Sequence, residues 1–138
     1  MILVAAVDDR LGLCFHGRRQ SQDKVLREKI LTLFAGKTLW MNAYSAKQFA
    51  KDAGAETIHV AEDFLTQAGK GEICFVENIS AASAAERVEQ VYLFHWNRAY
   101  PGDLFFDLPL EDGWELTLEE EFPGSSHKTI TLEVYERA

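Results

Sequence analysis

The last third of the chain contains only strand and turn signals, and this feature constrains the fold more than any other. A long apolar segment, Val88–Trp96, is followed by turn residues at Pro101–Asp103 and by strand-like segments that begin at Trp114 and end at Arg137. Strand segments joined by turns, without an intervening helix, pair in antiparallel fashion. We therefore predict that the chain ends in an antiparallel part of a sheet.

The first part of the chain instead alternates apolar segments with helical periodicity. Ile2–Val7 is almost entirely apolar, which is typical of a strand that is buried on both faces. A loop is predicted over Asp8–Gln20, and a helix over Gln22–Phe34 with Ser21 as its N-cap. The apolar positions of this helix recur at helical spacing: Leu26, Ile30, Leu33 and Phe34.

The remaining elements complete an alternating pattern. Further strands are predicted at Thr38–Met41, Glu56–Val60 and Ile73–Val76, and further helices at Ala43–Ala53, Glu62–Ala68 and Ala81–Arg87. Alternating strands and helices followed by strands alone predict a three-layer α/β fold. Its central sheet is mixed and mostly parallel, with helices on both faces and an antiparallel C-terminal ending, and residues 1–138 form a single domain.

Composition excludes several classes of function. The formal net charge of −8 argues against nucleic acid as a partner, because such binding depends on Lys and Arg. No apolar run is long enough to span a membrane, and the first residues lack a basic leader, so a cytoplasmic location is expected. The four histidines lack metal-site spacing, and we assign no metal. Cys14 and Cys74 are expected to be buried, reduced thiols.

The closing segments resemble those of dihydrofolate reductase in order and spacing. They comprise a strand ending near His95, a Gly-Asp-x-x-Phe turn at 102–106, a strand that starts with Trp114, and a last strand closing on Glu-Arg at 136–137. The opening is also similar, since Ala5-Ala6 runs into Asp-Arg-Leu-Gly at 9–12. The resemblance implies a dihydrofolate reductase-like fold, in which the first strand leads into a mobile loop over the nicotinamide.

Asp23 is the candidate catalytic residue that this resemblance implies. It falls near the start of the first helix, where the family places its only ionisable pocket residue, an acid suited to proton delivery when its pKa is raised. The residues alone support a second interpretation, in which the helix dipole stabilises a carboxylate in the first helical turn. The polar segment 18–21 disfavours a folate substrate, and Phe94 stands where the family has a hydroxyl partner for the acid.

The resemblance also assigns the cofactor-binding positions, most of which depart from the family's motifs. The family holds the NADPH phosphates at two helix N-termini, where free backbone N–H groups attract anions. Tyr44 replaces the basic residue of the first motif, and Glu77-Asn78 replaces the glycine pair of the second. NADPH binding is therefore expected to be disfavoured. The full set of corresponding positions is Ala6, Ala43, Tyr44, Ser45, Glu77 and Asn78.

Three hypotheses follow. The first is a divergent dihydrofolate reductase-like protein that no longer performs the standard reduction and binds another small ligand or has a noncatalytic role. The second is an NAD(P)H-dependent reductase of a pterin-like or other heterocyclic substrate, in which Arg18, Arg19 and Lys47 converge on the helix that starts near Ala43. The third is a homodimer or partner-binding module that uses the aromatic segment from Trp96 to Phe106.

Overall fold

The computed structural model describes all residues, Met1–Ala138. Its ten strands are β1 (Ile2–Val7), β2 (Gly12–Phe15), β3 (Arg18–Arg19), β4 (Leu39–Met41), β5 (His59–Val60), β6 (Ile73–Phe75), β7 (Gln90–His95), β8 (Leu104–Phe105), β9 (Trp114–Phe122) and β10 (Ile130–Arg137). Its three α-helices are α1 (Lys24–Leu33), α2 (Ala43–Phe49) and α3 (Phe64–Gln67). Two 3-10 helices, Ala55–Thr57 and Ala82–Arg87, complete the regular structure. None of the helices combines the length and the apolar character that crossing a bilayer requires.

Seven strands form the central sheet, in the order β5-β4-β6-β1-β7-β10-β9. The pairs from β5 to β7 are parallel, and β10 pairs antiparallel with both β7 and β9. This arrangement confirms the predicted mixed sheet with an antiparallel ending. The apolar β1 lies at its centre, between β6 and β7.

Helices cover both faces of the sheet, as predicted. On one face, Leu26 and Ile30 of α1 and Phe49 of α2 pack with Phe94 of β7. On the other face, Phe64 of α3 and the 3-10 helix around Ala84 pack against residues of β1 and β7. The central strands β1, β6 and β7 thus contribute alternate side chains to two separate apolar clusters.

Several local predictions need correction. The predicted loop over Asp8–Gln20 contains a hairpin, β2–β3, which joins β8 in a separate three-stranded sheet. Leu33 is 40% exposed, because only the narrow stripe of residues four apart on α1 reaches the sheet. The strand predicted over Glu56–Val60 is only β5, and both of its residues are exposed.

Asp8 fastens the hairpin to the end of β1. Its buried carboxylate accepts hydrogen bonds from the backbone N–H groups of Arg10 and Gly12, and from that of Tyr100 across the chain. Burial acts to raise the pKa of Asp8, but these hydrogen bonds outweigh it and lower the pKa. The segment after β1, which the resemblance predicts to be a mobile loop, is therefore held at its start by hydrogen bonds to the carboxylate of Asp8.

Candidate functional site

Asp23 is the N-cap of α1, a position that the sequence analysis assigned to Ser21. Its backbone is extended, with φ −154° and ψ 127°, and its Oδ1 accepts from the N–H groups of Val25 at 2.9 Å and Leu26 at 3.2 Å. The helix consequently begins at Lys24 instead of Gln22. An aspartate at this position satisfies two of the N–H groups that have no partner within the helix.

The same carboxylate also holds the loop between β9 and β10. It accepts from the backbone N–H groups of Ser125 at 3.0 Å, Ser126 at 2.8 Å and His127 at 3.2 Å. Asp23 is only 2% exposed, so one buried charge ties together segments about a hundred residues apart in sequence. Both carboxylate oxygens are occupied by donors.

These contacts decide the charge state of Asp23. Burial acts to raise the pKa of this carboxyl, but the hydrogen bonds from Ser125, Ser126 and His127 outweigh it and hold the pKa well below its usual range. The raised pKa that a proton-delivering acid needs is therefore absent. A catalytic role for Asp23 stays a prediction, and the geometry gives this residue a capping and loop-anchoring role.

His127 extends the network on the other side of Asp23. Its Nδ1 lies 3.1 Å from Asp23 Oδ2, and its Nε2 lies 3.1 Å from the hydroxyl of Ser21 and 3.0 Å from that of Tyr100. Trp96 stacks on the imidazole, with ring centroids 4.4 Å apart. Since a carboxylate only accepts, the Nδ1 of His127 donates to Asp23.

Hydroxyl, imidazole and carboxylate follow one another here in the same order as in Ser-His-Asp hydrolases. In this protein, however, the Nε2 of His127 is shared between Ser21 and Tyr100. Neither Ser21 nor Asp23 lines any of the five principal cavities. The arrangement is thus a buried polar network that stiffens one end of the sheet.

The predicted cofactor positions other than Ala6 lie at the N-terminus of α2 and just after β6. Their centre is an ion pair in which Nε of Arg19 lies 3.0 Å from one oxygen of Glu77 and its Nη2 lies 3.1 Å from the other. The guanidinium also covers the ring of Tyr44 at 4.3 Å and donates to the Tyr44 carbonyl. The side chains of Arg19 and Glu77 are only 19% and 9% exposed. Two-point contact and burial make this a well-defined pair.

Two of the backbone donors at the start of α2, those of Ala43 and Ser45, already have partners within the protein. The N–H of Ala43 donates to the carboxylate of Glu62 at 3.0 Å, and the N–H of Ser45 donates to the Asn42 side chain at 2.9 Å. Asn42 in turn donates to the side chain of Asn78 at 2.9 Å. A residue of the protein thus occupies each of these N–H groups, which in the resembling family would face a phosphate.

Three further residues that the sequence analysis named are Ala6, Phe94 and Ser45. Ala6 is half-buried in β1 and pairs in register with Phe94, which is fully buried. Phe94 offers no hydrogen bond to Asp23, as predicted, since the partners of Asp23 come from α1 and the β9–β10 loop. The hydroxyl of Ser45 is buried without a hydrogen-bond partner.

Some residues of the site were missed by the sequence analysis. His127 was treated as one of four scattered histidines, and Asn42 and Glu62 were given no role. Asn42 could have been found, because it stands immediately before a predicted helix, as N-caps do. No local signal identifies His127. In the structure no group of three or more His, Cys, Asp or Glu side chains is placed to hold a metal ion.

Comparisons with known proteins agree with this architecture. No family model and no curated protein matches the sequence. Among solved structures, the chain is similar to dihydrofolate reductase from Enterococcus faecalis complexed with NADP(H) and RAB-propyl. The two share 16% sequence identity with a TM-score of 0.66, and the match covers 99% of this chain and 95% of that one.

The chain therefore has a dihydrofolate reductase-like fold, as its closing segments predicted. The low identity fits a divergent protein. Fold and activity are separate properties, because a site and not the scaffold performs the chemistry.

Proposed function

We propose that this is a cytoplasmic small-ligand-binding protein, built on a dihydrofolate reductase-like fold, that does not catalyse NADPH-dependent reduction of dihydrofolate. The observation that carries the proposal is the ion pair of Arg19 with Glu77 against Tyr44. In the resembling family this region receives the phosphates of the cofactor. In this protein the region contains the carboxylate of Glu77, which already neutralises the neighbouring cation Arg19.

Electrostatics explains why NADPH is disfavoured. A pyrophosphate placed at the start of α2 would lie near the carboxylates of Glu62 and Glu77. Freeing Arg19 to bind phosphate would leave Glu77 buried without its partner, and breaking a buried pair in this way costs about 3 to 5 kcal/mol. The positive site that a dinucleotide needs is thus absent without rearrangement.

Asp23 supports the proposal independently. It is sealed by the loop from Ser125 to His127 and is not exposed in a cavity. A carboxyl with a lowered pKa is a poor source of protons at neutral pH. The lowered pKa of Asp23 and the Arg19–Glu77 pair thus both support a protein without the family's reductase chemistry.

One observation bears on the alternative of an active reductase. That hypothesis required three cations to converge on α2, and one of them, Arg19, contacts its first turn. Lys47 lies in the last turn of α2, and Arg18 is exposed on the hairpin. The reductase alternative therefore requires Glu77 to release Arg19 when NADPH binds.

The homodimer alternative is not supported by the aromatic segment on which it was based. Trp96 and Phe106 are buried in the two apolar clusters, and Phe105 is the exposed aromatic side chain of that segment at 44%. The aromatic segment therefore exposes less apolar surface than this alternative assumed. A homodimer or partner-binding role stays a prediction.

A thermal-shift titration with NADPH, NADH, FMN and dihydrofolate tests the proposal. A ligand at 100 times its dissociation constant stabilises by about 2.7 kcal/mol, which is easily detected. We expect no shift with NADPH and no turnover of dihydrofolate. Tight NADPH binding together with dihydrofolate turnover would refute the proposal.

A pair of variants tests the electrostatic reason. Glu77→Gln removes the carboxylate and frees Arg19, so NADPH affinity should rise above that of the wild type. The double variant Glu77→Gln, Arg19→Ala is the matched control and should lose that gain. If Glu77→Gln leaves NADPH affinity unchanged, the ion pair is not what excludes the cofactor.

A further inference from the structure

A cavity of about 450 Å³ lies on the face of the sheet opposite to Asp23. It is formed where the segment after β8 passes over β7 and β10. Its apolar wall consists of Leu11, Leu93, Phe106, Leu108, Pro109 and Leu110. A cleft of this volume, mostly apolar with a few convergent polar groups, has the character of a small-molecule site.

The polar groups of this cavity come from two neighbouring strands. His95 of β7 and Glu133 of β10 lie 2.6 Å apart, Nε2 to Oε1, and the hydroxyl of Tyr135 donates to the same oxygen at 3.0 Å. The side chains of His95 and Glu133 are 22% and 18% exposed, so both are shielded but reachable. Both contacts use Oε1, and no side chain contacts Oε2 of Glu133.

The charge of the lining is one-sided. Besides Glu133, the exposed acidic residues Asp107 and Glu111 line the cavity, and the lining includes no lysine or arginine. His95 is its single basic group. Of these three acidic residues Glu133 is the shielded one, and its charge is less screened than a charge on the open surface.

We propose that this cavity binds a small organic cation, with a protonated amine or amidine directed at Glu133 and an apolar or aromatic body packed against Leu93, Phe106 and Leu108. The positive charge of the ligand meets the carboxylate of Glu133, whose Oε2 is available. The apolar part of the ligand replaces water along the apolar wall of the cavity. This proposal supplies a ligand class for the small-ligand function. It does not depend on the loss of reductase activity, because the cavity and the expected cofactor region lie on different faces of the sheet.

The contact between His95 and Glu133 also has a purely structural explanation. The two residues lie on the paired antiparallel strands β7 and β10, and cross-strand pairs of opposite charge stabilise sheets. That explanation predicts an effect of Glu133 on stability and none on ligand selectivity. Selectivity is therefore the quantity to measure.

Isothermal titration calorimetry with three matched probes tests the proposal: 2-phenylethylamine, 2-phenylethanol and phenylacetate. They share an aromatic body and differ in charge. We expect the amine to bind with a dissociation constant on the order of 1 mM or tighter. The neutral alcohol should bind at least tenfold more weakly, and the anion more weakly still. Failure of the amine to bind, or equal affinity for amine and anion, would overturn the proposal.

Two variants locate the binding. Glu133→Gln keeps the size of the side chain and its ability to accept from Tyr135, and should weaken amine binding at least tenfold. Glu28→Gln removes an exposed carboxylate from α1, on the other face, and should leave amine affinity unchanged. Equal losses in both variants would mean that binding reflects net charge alone, and no loss in Glu133→Gln would place the amine elsewhere.

A second readout separates this proposal from the proposed function. Amide chemical-shift changes on adding 2-phenylethylamine should be centred on Leu93, Phe106 and Leu108, whatever the outcome of the NADPH titration. Changes centred on α2 instead would overturn the cavity assignment while leaving the proposed function standing. Tight NADPH binding with turnover of dihydrofolate, together with these chemical-shift changes, would refute the proposed function but not the cavity.

Discussion

Replacing Asp23 by Asn should destabilise the protein by about 2 to 4 kcal/mol, although the two side chains have the same shape. Both carboxylate oxygens accept backbone N–H groups, so either orientation of the amide places an NH₂ group against a donor. One orientation opposes the N–H groups of Ser126 and His127, and the other opposes those of Val25 and Leu26. A hydrogen bond to a charged group contributes about 1.5 to 3 kcal/mol, and an unsatisfied buried donor costs about 1 to 3 kcal/mol.

Equilibrium unfolding in urea, followed by circular dichroism, measures this loss. The free energy of unfolding should fall while the dependence on urea concentration stays the same, since the surface exposed on unfolding is unchanged. Asp9→Asn is the matched control, because Asp9 is an exposed aspartate in the turn after β1. A loss below about 0.5 kcal/mol in Asp23→Asn, the size typical of surface substitutions, would refute the proposed role of the carboxylate.

A serine variant separates the two tasks of Asp23. Asp23→Ser retains a good N-cap for α1 but is too short to reach the N–H groups of the β9–β10 loop. Asp23→Ala loses both tasks and should be less stable than Asp23→Ser by about 1 kcal/mol. If the serine variant were as stable as the wild type, the helix cap alone would account for Asp23.

The pH dependence of stability follows from the lowered pKa. The folded-state pKa of Asp23 lies below the unfolded value of about 3.9, so the folded state resists protonation. The resulting stabilisation is fully present above the unfolded pKa and is lost as pH falls through the folded pKa. The difference in stability between wild type and Asp23→Asn should therefore be constant near neutrality and shrink below about pH 4. A difference that does not change with pH would contradict this.

Three other predictions concern different parts of the molecule. Gly124→Ala should lower the free energy of unfolding by about 1 to 3 kcal/mol. An added Cβ would lie 2.4 Å from Oδ2 of Asp23 and 2.9 Å from the backbone oxygen of His127. Gly69→Ala, where the nearest atom is a side-chain oxygen 3.4 Å away, should be close to neutral in the same urea assay. A double-mutant cycle on Arg19 and Glu77 should give a coupling energy of about 1 to 3 kcal/mol, and additive effects would mean that the pair is not formed. Burial raises the pKa of Cys74 to about 12, so its thiol should react with a disulfide reagent only after unfolding, and rapid labelling of the native protein would contradict its placement.

The sequence predicted the scaffold well because the relevant signals are local. The uninterrupted apolar run of β1 indicates a strand buried on both faces, and it forms the centre of the sheet. The spacing of Leu26, Ile30 and Phe34 identified the face of α1 that packs against the sheet. Turn residues without intervening helices correctly indicated the antiparallel pairing of β9 and β10. Hydrophobic periodicity and turn residues are signals that extend over only a few residues, so they can be recognised directly in the sequence.

The short elements were less predictable. The hairpin β2–β3 has only four and two residues in its strands, too few for a clear alternation of apolar and polar side chains. Its formation depends on pairing with β8 and on the carboxylate of Asp8, which accepts from the backbone of Gly12 nearby and of Tyr100, 92 residues away from Asp8. Leu33 fits the helical spacing but is exposed, since it lies outside the stripe of residues that packs against the sheet.

The sequence by itself determined the order of the main strands and helices, the covering of both sheet faces by helices, and the dihydrofolate reductase-like architecture. Only the tertiary structure decided what the charged residues do. Asp23 meets its loop partners across more than a hundred residues, and Arg19 meets Glu77 across 58. A carboxyl group can act as a proton donor when it lies in a cavity, or as a fixed anchor when N–H donors surround it. Its pKa depends on which of these surroundings the fold supplies. Composition records that a charge is present, while only packing determines which group faces it.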